Sequence, residues 1–343
     1  MAVQRGEGQV GEGARIRDVA KAAGVSPATV SRVLNNSAGV GEALRKRVLG
    51  AVERLQYRPN PHARALLSGR SHTAGLLVAE VDGPFYGPLY RGLERVLSEH
   101  RLHLIMASGR RRHEVEWEVV NSLLGRGLDL LFLWPEALSQ EELRWAAAQG
   151  PKVVILGQEV PGLPCVALDH AHGGYLATRY LLQAGHLRIA HVAGPQGMQD
   201  AVSRLAGYQR ALAERGLEVD PELVAYGNFR ESGGYRAARE LLSRGRPFSA
   251  LFAANDQMAI GVAAALEEAG LRVPQDVSLM GYDDIIMARY VRPALTTIRQ
   301  PLEEVGKAAA LRALQALGYA AGTPQELALE VIERSSVRPL DSS

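Results

Sequence analysis

Cysteine occurs once in the 343 residues, at Cys165, so no disulfide can close within the chain and a bridge-stapled scaffold is excluded. The residue reads as a small apolar filler, and a reducing cytoplasm is the expected setting. Lysine is nearly as scarce, at positions 21, 46, 152 and 307 only, which leaves arginine to supply the positive charge. There is no apolar run of the roughly twenty residues that a spanning helix needs. The opening MAVQRGEGQVGEG lacks an apolar signal core, so neither export nor membrane insertion is expected. Catalytic signatures are missing too: no G-x-S-x-G, H-E-x-x-H, Walker loop or C-x-x-C occurs, and neither an enzyme nor a cofactor is expected. Gly6, Gly8 and Gly11 satisfy G-x-G-x-x-G, but no strand precedes them; residues 1–14 read as a flexible tail. Asp169-His170-Ala171-His172 offers two histidines two apart, and His113-Glu114 lacks the second histidine of a zinc site.

The charge that is present is unevenly placed. The net value of +2 hides 12 Lys/Arg against 5 Asp/Glu in residues 1–72, and 27 against 32 in the remainder. A basic amino-terminal segment exchanges its own cations for the counterions of duplex DNA. Within it lies IRDVAKAAGVSPATVSRVLN, Ile16 to Asn35. Val19, Ala20 and Ala23 form one apolar face at helical spacing, Gly24 permits a sharp exit, and Val30, Val33 and Leu34 supply a second face. Ser26 can cap a helix that opens at Pro27, whose missing N–H is harmless there. Two helices so joined make a helix-turn-helix, and the second turns Pro27, Ala28, Ser31, Arg32 and Asn35 outward. These offer a guanidinium fork for guanine, polar groups for other base edges and small apolar groups for a thymine methyl. A helical pair with no nucleic-acid role is the plainer alternative.

A third helix is expected over Glu42 to Leu55. Beyond it, Asn60 can cap, Pro61 can open and Gly69 can end a helix of about two turns, too short to be stable alone in water. From Thr73 onward, apolar runs of strand length begin at 73, 102, 128, 152, 188, 249 and 277 and alternate with helical segments. Such runs indicate parallel strands covered on both faces, with ligands at their carboxyl ends. The rhythm of 73–168 repeats in 186–285, which predicts two similar lobes about a cleft.

The motifs D-V-A-K-A-A-G-V-S at Asp18, A-T-V-S-R-V-L-N at Ala28, Y-R-P-N at Tyr57 and A-R-A-L at Ala63 are joined later by R-L-A-G-Y at Arg204, F-A-A-N-D at Phe252, G-Y-D-D at Gly281 and L-T-T-I-R-Q-P at Leu295. Together they closely resemble the LacI/GalR family of bacterial transcriptional regulators, from about Arg15 to Arg338. The resemblance implies a small all-α helix-turn-helix headpiece at 15–59, a hinge helix and linker at 60–72, and an α/β two-lobed periplasmic-binding-protein-like domain of doubly wound parallel sheets at 73–338. One lobe would take 73–169 and 298–327, the other 170–297 and 328–338, with crossings near 170, 297 and 328 and a tail at 339–343.

Function follows from the same likeness. Ser26, Pro27, Ala28, Thr29, Ser31, Arg32 and Asn35 would contact a pseudo-palindromic operator. Asn60, Ala63 and Leu66 would enter the minor groove from paired hinge helices, Leu66 as a wedge, although a leucine packed on the next domain would look the same in sequence. Phe85, Arg204, Phe229, Asn255, Asp283 and Gln300 match effector-contacting positions, a donor and acceptor set suited to vicinal hydroxyls of a sugar. The alternative for Asp283 and Asp256 is helix capping near the cleft, and for Arg204 an interlobe ion pair. The expected protein is a homodimeric repressor; a soluble sugar receptor without a DNA role is the other reading. Three departures stand out. Arg15 replaces the usual threonine cap, so Asp18 is expected to serve the first turn by dipole complementarity alone. Gly83 replaces an asparagine, and Arg110, Arg111 and Arg112 replace an acidic loop, which suggests either an anionic effector or a solvated loop.

Overall fold

The computed structural model describes residues 14–34, 39–57, 70–323 and 325–340, and divides into two units at Ser71–His72. The smaller unit comprises α1 (Ile16–Ala23), α2 (Pro27–Leu34) and α3 (Glu42–Arg54). Val19, Ala20, Ala23, Val30, Val33, Val48 and Ala51 are buried together as its core. Gly24 leaves α1 at a left-handed φ of 65°, and the Ser26 hydroxyl accepts the Thr29 amide at 3.2 Å. The start of α1 departs from expectation: the Arg15 amide donates to Asp18 Oδ2 at 2.8 Å, so Asp18 closes the first turn by a hydrogen bond as well as by its charge. Asn35 and the hinge positions Asn60, Ala63 and Leu66 lie outside the described residues.

The larger unit holds two parallel sheets. The first comprises β1 (Thr73–Val78), β2 (His103–Ser108), β3 (Leu130–Leu133), β4 (Lys152–Leu156) and β5 (Cys165–Val166), in the order β2-β1-β3-β4-β5. The second comprises β6 (Ile189–Ala193), β7 (Val224–Tyr226), β8 (Ala250–Ala253), β9 (Ser278–Asp283), β10 (Thr296–Arg299) and β11 (Glu330–Ile332), in the order β11-β10-β9-β8-β6-β7. Apart from the edge strand β11, which runs antiparallel to β10, the second sheet repeats the winding of the first. The seven apolar runs are all strands. The four strands without such runs, β5, β7, β10 and β11, are two to four residues long and take their conformation from the neighbours they pair with.

Helices α4 (Tyr86–Glu99), α5 (His113–Leu124) and α6 (Gln140–Ala147) follow strands of the first sheet; α7 (His170–Gln183), α8 (Gln199–Glu214), α9 (Glu231–Ser243) and α10 (Asp256–Glu268) belong to the second. The late helix α11 (Leu302–Ala316) returns to the first lobe and packs on α4. The approach is close because Gly92 has no side chain; a Cβ there would sit 2.0 Å from the Glu303 carbonyl oxygen. Gly207 serves the α7–α8 contact in the same way, with Ala171 O at 2.0 Å from a Cβ.

The chain passes between lobes three times. Leu168 packs on the first lobe's core just before α7 begins the second. The next passage corrects the boundary expected near 297: Ile298 and Arg299 pair with β9 and β11, so the crossing falls at Gln300–Pro301. Leu327 then packs on the first core and Leu329 on the second. Both ends of the unit extend slightly further than expected. The His72 amide donates to Asp129 Oδ2, just ahead of β3, at 2.8 Å, and the Leu340 amide donates to Ala184 O at the end of α7 at 2.8 Å, which ties both residues to the unit rather than to linker or tail.

Candidate nucleic-acid interface and ligand cleft

On α2, Pro27, Ala28 and Arg32 are exposed, and Thr29 and Ser31 are half-buried. Ser26 and Thr29 hold each other, hydroxyl to hydroxyl, at 2.9 Å. The exposed face therefore carries one guanidinium beside small groups, with the cap hydroxyls committed to starting the helix.

The cleft is built where the doubly wound sheets dictate, at the carboxyl ends of their strands. Glu80 follows β1, Trp134 and Glu136 follow β3, Asn255 follows β8, Asp283 ends β9 and Gln300 follows β10. Asp200 and Arg204 share a face of α8, four residues apart. Of the six expected contact residues, Phe85, Arg204, Phe229, Asn255 and Asp283 line this space. Gln300 stands behind it: its Nε2 donates to Asp283 Oδ1 at 2.7 Å.

Each expected side chain has a definite setting. Arg204 is buried, donates to Ala254 O at 2.6 Å, lies 4.0 Å over the Tyr282 ring and keeps Nη1 3.9 Å from Asp283 Oδ1. Burial pushes Asp283 up to about 7, against the opposing pull of Arg204 and Gln300. Asn255 caps α10 through Oδ1 to the Met258 amide at 2.9 Å and clamps Phe229 through Nδ2 to its carbonyl at 3.0 Å. That clamp holds Phe229 at a φ of 62°, a conformation a bulky residue adopts only under constraint. Phe85 meets Tyr86 and Trp134 edge-on, at 4.9 and 5.7 Å between ring centres, and these make the cleft's aromatic corner. Asp256 is fully buried away from that corner and ties two segments together, accepting Thr297 Oγ1 at 2.6 Å and the Ile285 amide at 2.9 Å.

Several lining residues escape sequence reasoning: Glu80, Tyr86, Trp134, Glu136, Asp200 and Gln257. Glu80, Trp134 and Glu136 were findable as polar or aromatic residues just past strand ends, and Asp200 as the helical neighbour of Arg204. The arginine triplet divides. Arg110 and Arg112 are exposed, whereas Arg111 turns into the cleft, bonds to Glu80 and lies 3.4 Å from Glu136 Oε2. The two histidines of the 169–172 segment also part. His170 is buried with Nδ1 3.0 Å from the Tyr282 hydroxyl, and burial brings it down to about 4. The Asp169 carboxylate accepts the His172 amide at 2.8 Å and so caps α7.

Carboxylates, guanidiniums and a carboxamide around an aromatic corner can accept from and donate to vicinal hydroxyls while facing the apolar side of a ring. The sequence comparisons agree with both halves of the molecule. Residues 15–60 match the model described as "Bacterial regulatory proteins, lacI family", and residues 178–337 the "Periplasmic binding protein-like domain". The transcriptional regulator GalR of Escherichia coli (strain K12) is 41% identical over 303 residues, 88% of each chain. The chain belongs to the LacI family of bacterial regulatory proteins. Another relative of this LacI-family protein is the ribose operon repressor of the same organism, 37% identical over 310 residues, covering 86% of this chain and 91% of the relative. In structure, the lac repressor dimer bound to operator and the anti-inducer ONPF has a TM-score of 0.84 at 27% identity, covering 95% of this chain and all of that one. This LacI-family chain is a DNA-binding transcriptional regulator and not an enzyme.

Proposed function

We propose that the protein is a cytoplasmic repressor that holds a pseudo-palindromic operator as a homodimer and changes its grip when a sugar occupies the cleft. One observation carries the effector half: a buried carboxylate, Asp283, is presented to the cleft by Gln300 from one side and faced by Arg204 from the other, beside Phe229 and Phe85. That arrangement recognises paired hydroxyls on a ring. The DNA half rests on α2, with Ser26, Pro27, Ala28, Thr29, Ser31, Arg32 and Asn35 toward the major groove. In this reading Asn60, Ala63 and Leu66 enter the minor groove. The dimer is supported by a groove whose lining includes Ile260, Ala263, Leu271, Val273 and Val291 alongside Glu267, Arg272 and Arg292, and by exposed Ile286, Met287 and Tyr290 in the segment before Val291. A further exposed apolar residue, Ile105, lies on the edge strand β2.

The test is selection of duplexes from a random pool by the full chain, followed by anisotropy titration of the selected duplex with and without neutral sugars such as D-galactose and D-ribose. Recovery of a two-fold-related sequence whose affinity falls steeply with salt and shifts with one sugar is expected. No preference among duplexes, or indifference to every sugar, would refute the proposal.

A further inference from the structure

Every guanidinium at the cleft is already matched by carboxylates. Four acids, Glu80, Glu136, Asp200 and Asp283, line it with two arginines, Arg111 and Arg204. A third arginine, Arg230, reaches in from the cap of α9 with Nη2 2.6 Å from Glu80 Oε2. Arg204 is shared between Asp200 at 3.8 Å and Asp283 at 3.9 Å. Glu80 is the branching point of the remainder. One oxygen takes Arg111, from its own lobe, and the other takes Arg230, from the opposite lobe. Its side chain is only 13% exposed, so water screens the pair with Arg111 weakly, while the half-exposed Arg230 is the more screened partner.

An anionic ligand entering this space would find each guanidinium already facing a carboxyl group, and it would have to take an arginine from one of them. A neutral ring meets no such opposition. The buried Arg111 Nε makes no hydrogen bond, only an ion-pair contact of 3.4 Å with Glu136 Oε2, and a hydroxyl oxygen can accept that donor without carrying charge.

We propose that Glu80 sets the charge selectivity of the cleft: by holding Arg111 and Arg230 as its counter-ions it reserves the site for an uncharged polyhydroxylated ring and excludes phosphorylated or carboxylated ones. The inference rests on the sugar-binding reading above and names the class of sugar. It also accounts for the misleading basic triplet in the sequence, because the one arginine of the three that faces the ligand is neutralised by a residue 31 positions earlier. Glu80 acts here on specificity, through the arginines it restrains.

The experiment compares the full-length parent with Glu80→Gln and Glu80→Asp by thermal shift and titration calorimetry. The probes are inorganic phosphate, neutral aldoses and their phosphate esters at matched ionic strength. The parent and Glu80→Asp are expected to bind no phosphate, and Glu80→Gln to gain it by at least about tenfold. A second change, Arg111→Gln in the Glu80→Gln background, is expected to remove the gain. A folded Glu80→Gln protein that gains nothing would overturn the proposal, as would a gain that survives loss of Arg111. Should Glu80→Gln not fold, the parent alone decides: a phosphate ester bound as tightly as its neutral sugar overturns it, and rejection of the ester supports it. The two readings fail differently. If no neutral sugar binds the parent yet Glu80→Gln acquires phosphate, the sugar reading falls and the role of Glu80 stands.

Discussion

Asp283 is the residue on which the electrostatics of the cleft concentrate, because burial, Arg204 and Gln300 all act on one carboxyl. Asp283→Asn keeps the shape and removes the charge. Hydrogen bonds to a charged group contribute roughly 1.5–3 kcal/mol, so sugar affinity is expected to fall about 10- to 100-fold with duplex binding in the absence of sugar unchanged. Calorimetry and anisotropy on the same preparation check this, and an unaltered sugar affinity would remove Asp283 from the contact set. A second residue contributes to acid stability. His191 is fully buried, stacks between Tyr208 and Phe252 at 4.9 and 4.7 Å, donates its Nδ1–H to Phe252 O at 2.9 Å, and is brought down by burial from 6.5 to about 4. Below pH 6.5 the unfolded chain takes up a proton that the folded protein refuses until about pH 4. Stability present above 6.5 is therefore lost progressively across that interval, on the order of 3 kcal/mol for this one group. In His191→Leu the thermal midpoint should fall less steeply on acidification than in the parent; parallel curves would refute the assignment.

At the scale of elements, close helix packing sets the tolerance of the fold. Gly92→Ala forces a methyl to within 2.0 Å of backbone on α11, and neither helix can yield by turning a side chain. Overpacking of this kind costs about 1–3 kcal/mol, expected as a lowered thermal midpoint and denaturant midpoint, with the headpiece unaffected. The hinge segment carries a separate expectation: Leu66→Ser weakens operator binding and leaves sugar affinity as it was, measured by parallel titrations. Elements were legible in proportion to how much of their own signal they carry. The headpiece helices and the seven apolar strands announce themselves through spacing and capping residues. By contrast, β10 reads Thr-Thr-Ile-Arg and β11 Glu-Val-Ile, and their pairing is decided by partners far off in sequence. The first-turn role of Asp18 was half legible: its charge could be read, its bond to the Arg15 amide could not. In the cleft, motif positions pointed to Arg204, Asn255 and Asp283, whereas Glu80 and Glu136 acquire meaning only through the fold that brings Arg111 to them.

For the whole molecule, the proposed dimer makes its own prediction. The groove around Ile260 has a mixed lining, with Ala263, Leu271, Val273 and Val291 beside Glu267, Arg272 and Arg292, and Ile286, Met287 and Tyr290 are exposed in the segment that leads to Val291. Ile260→Asp places a charge there. The variant is expected to sediment as a monomer, to bind its duplex at least about 100-fold more weakly because the two headpieces no longer act at one effective concentration, and to bind sugar normally. A variant that remains dimeric would relocate the interface.

Gln300 has a double position: it is the first residue of a crossing between the lobes, and its side chain holds the Asp283 carboxylate. Polar contact and chain crossing thus meet in one amide. Whatever displaces the Asp283 carboxylate also displaces the end of a segment that joins the two halves.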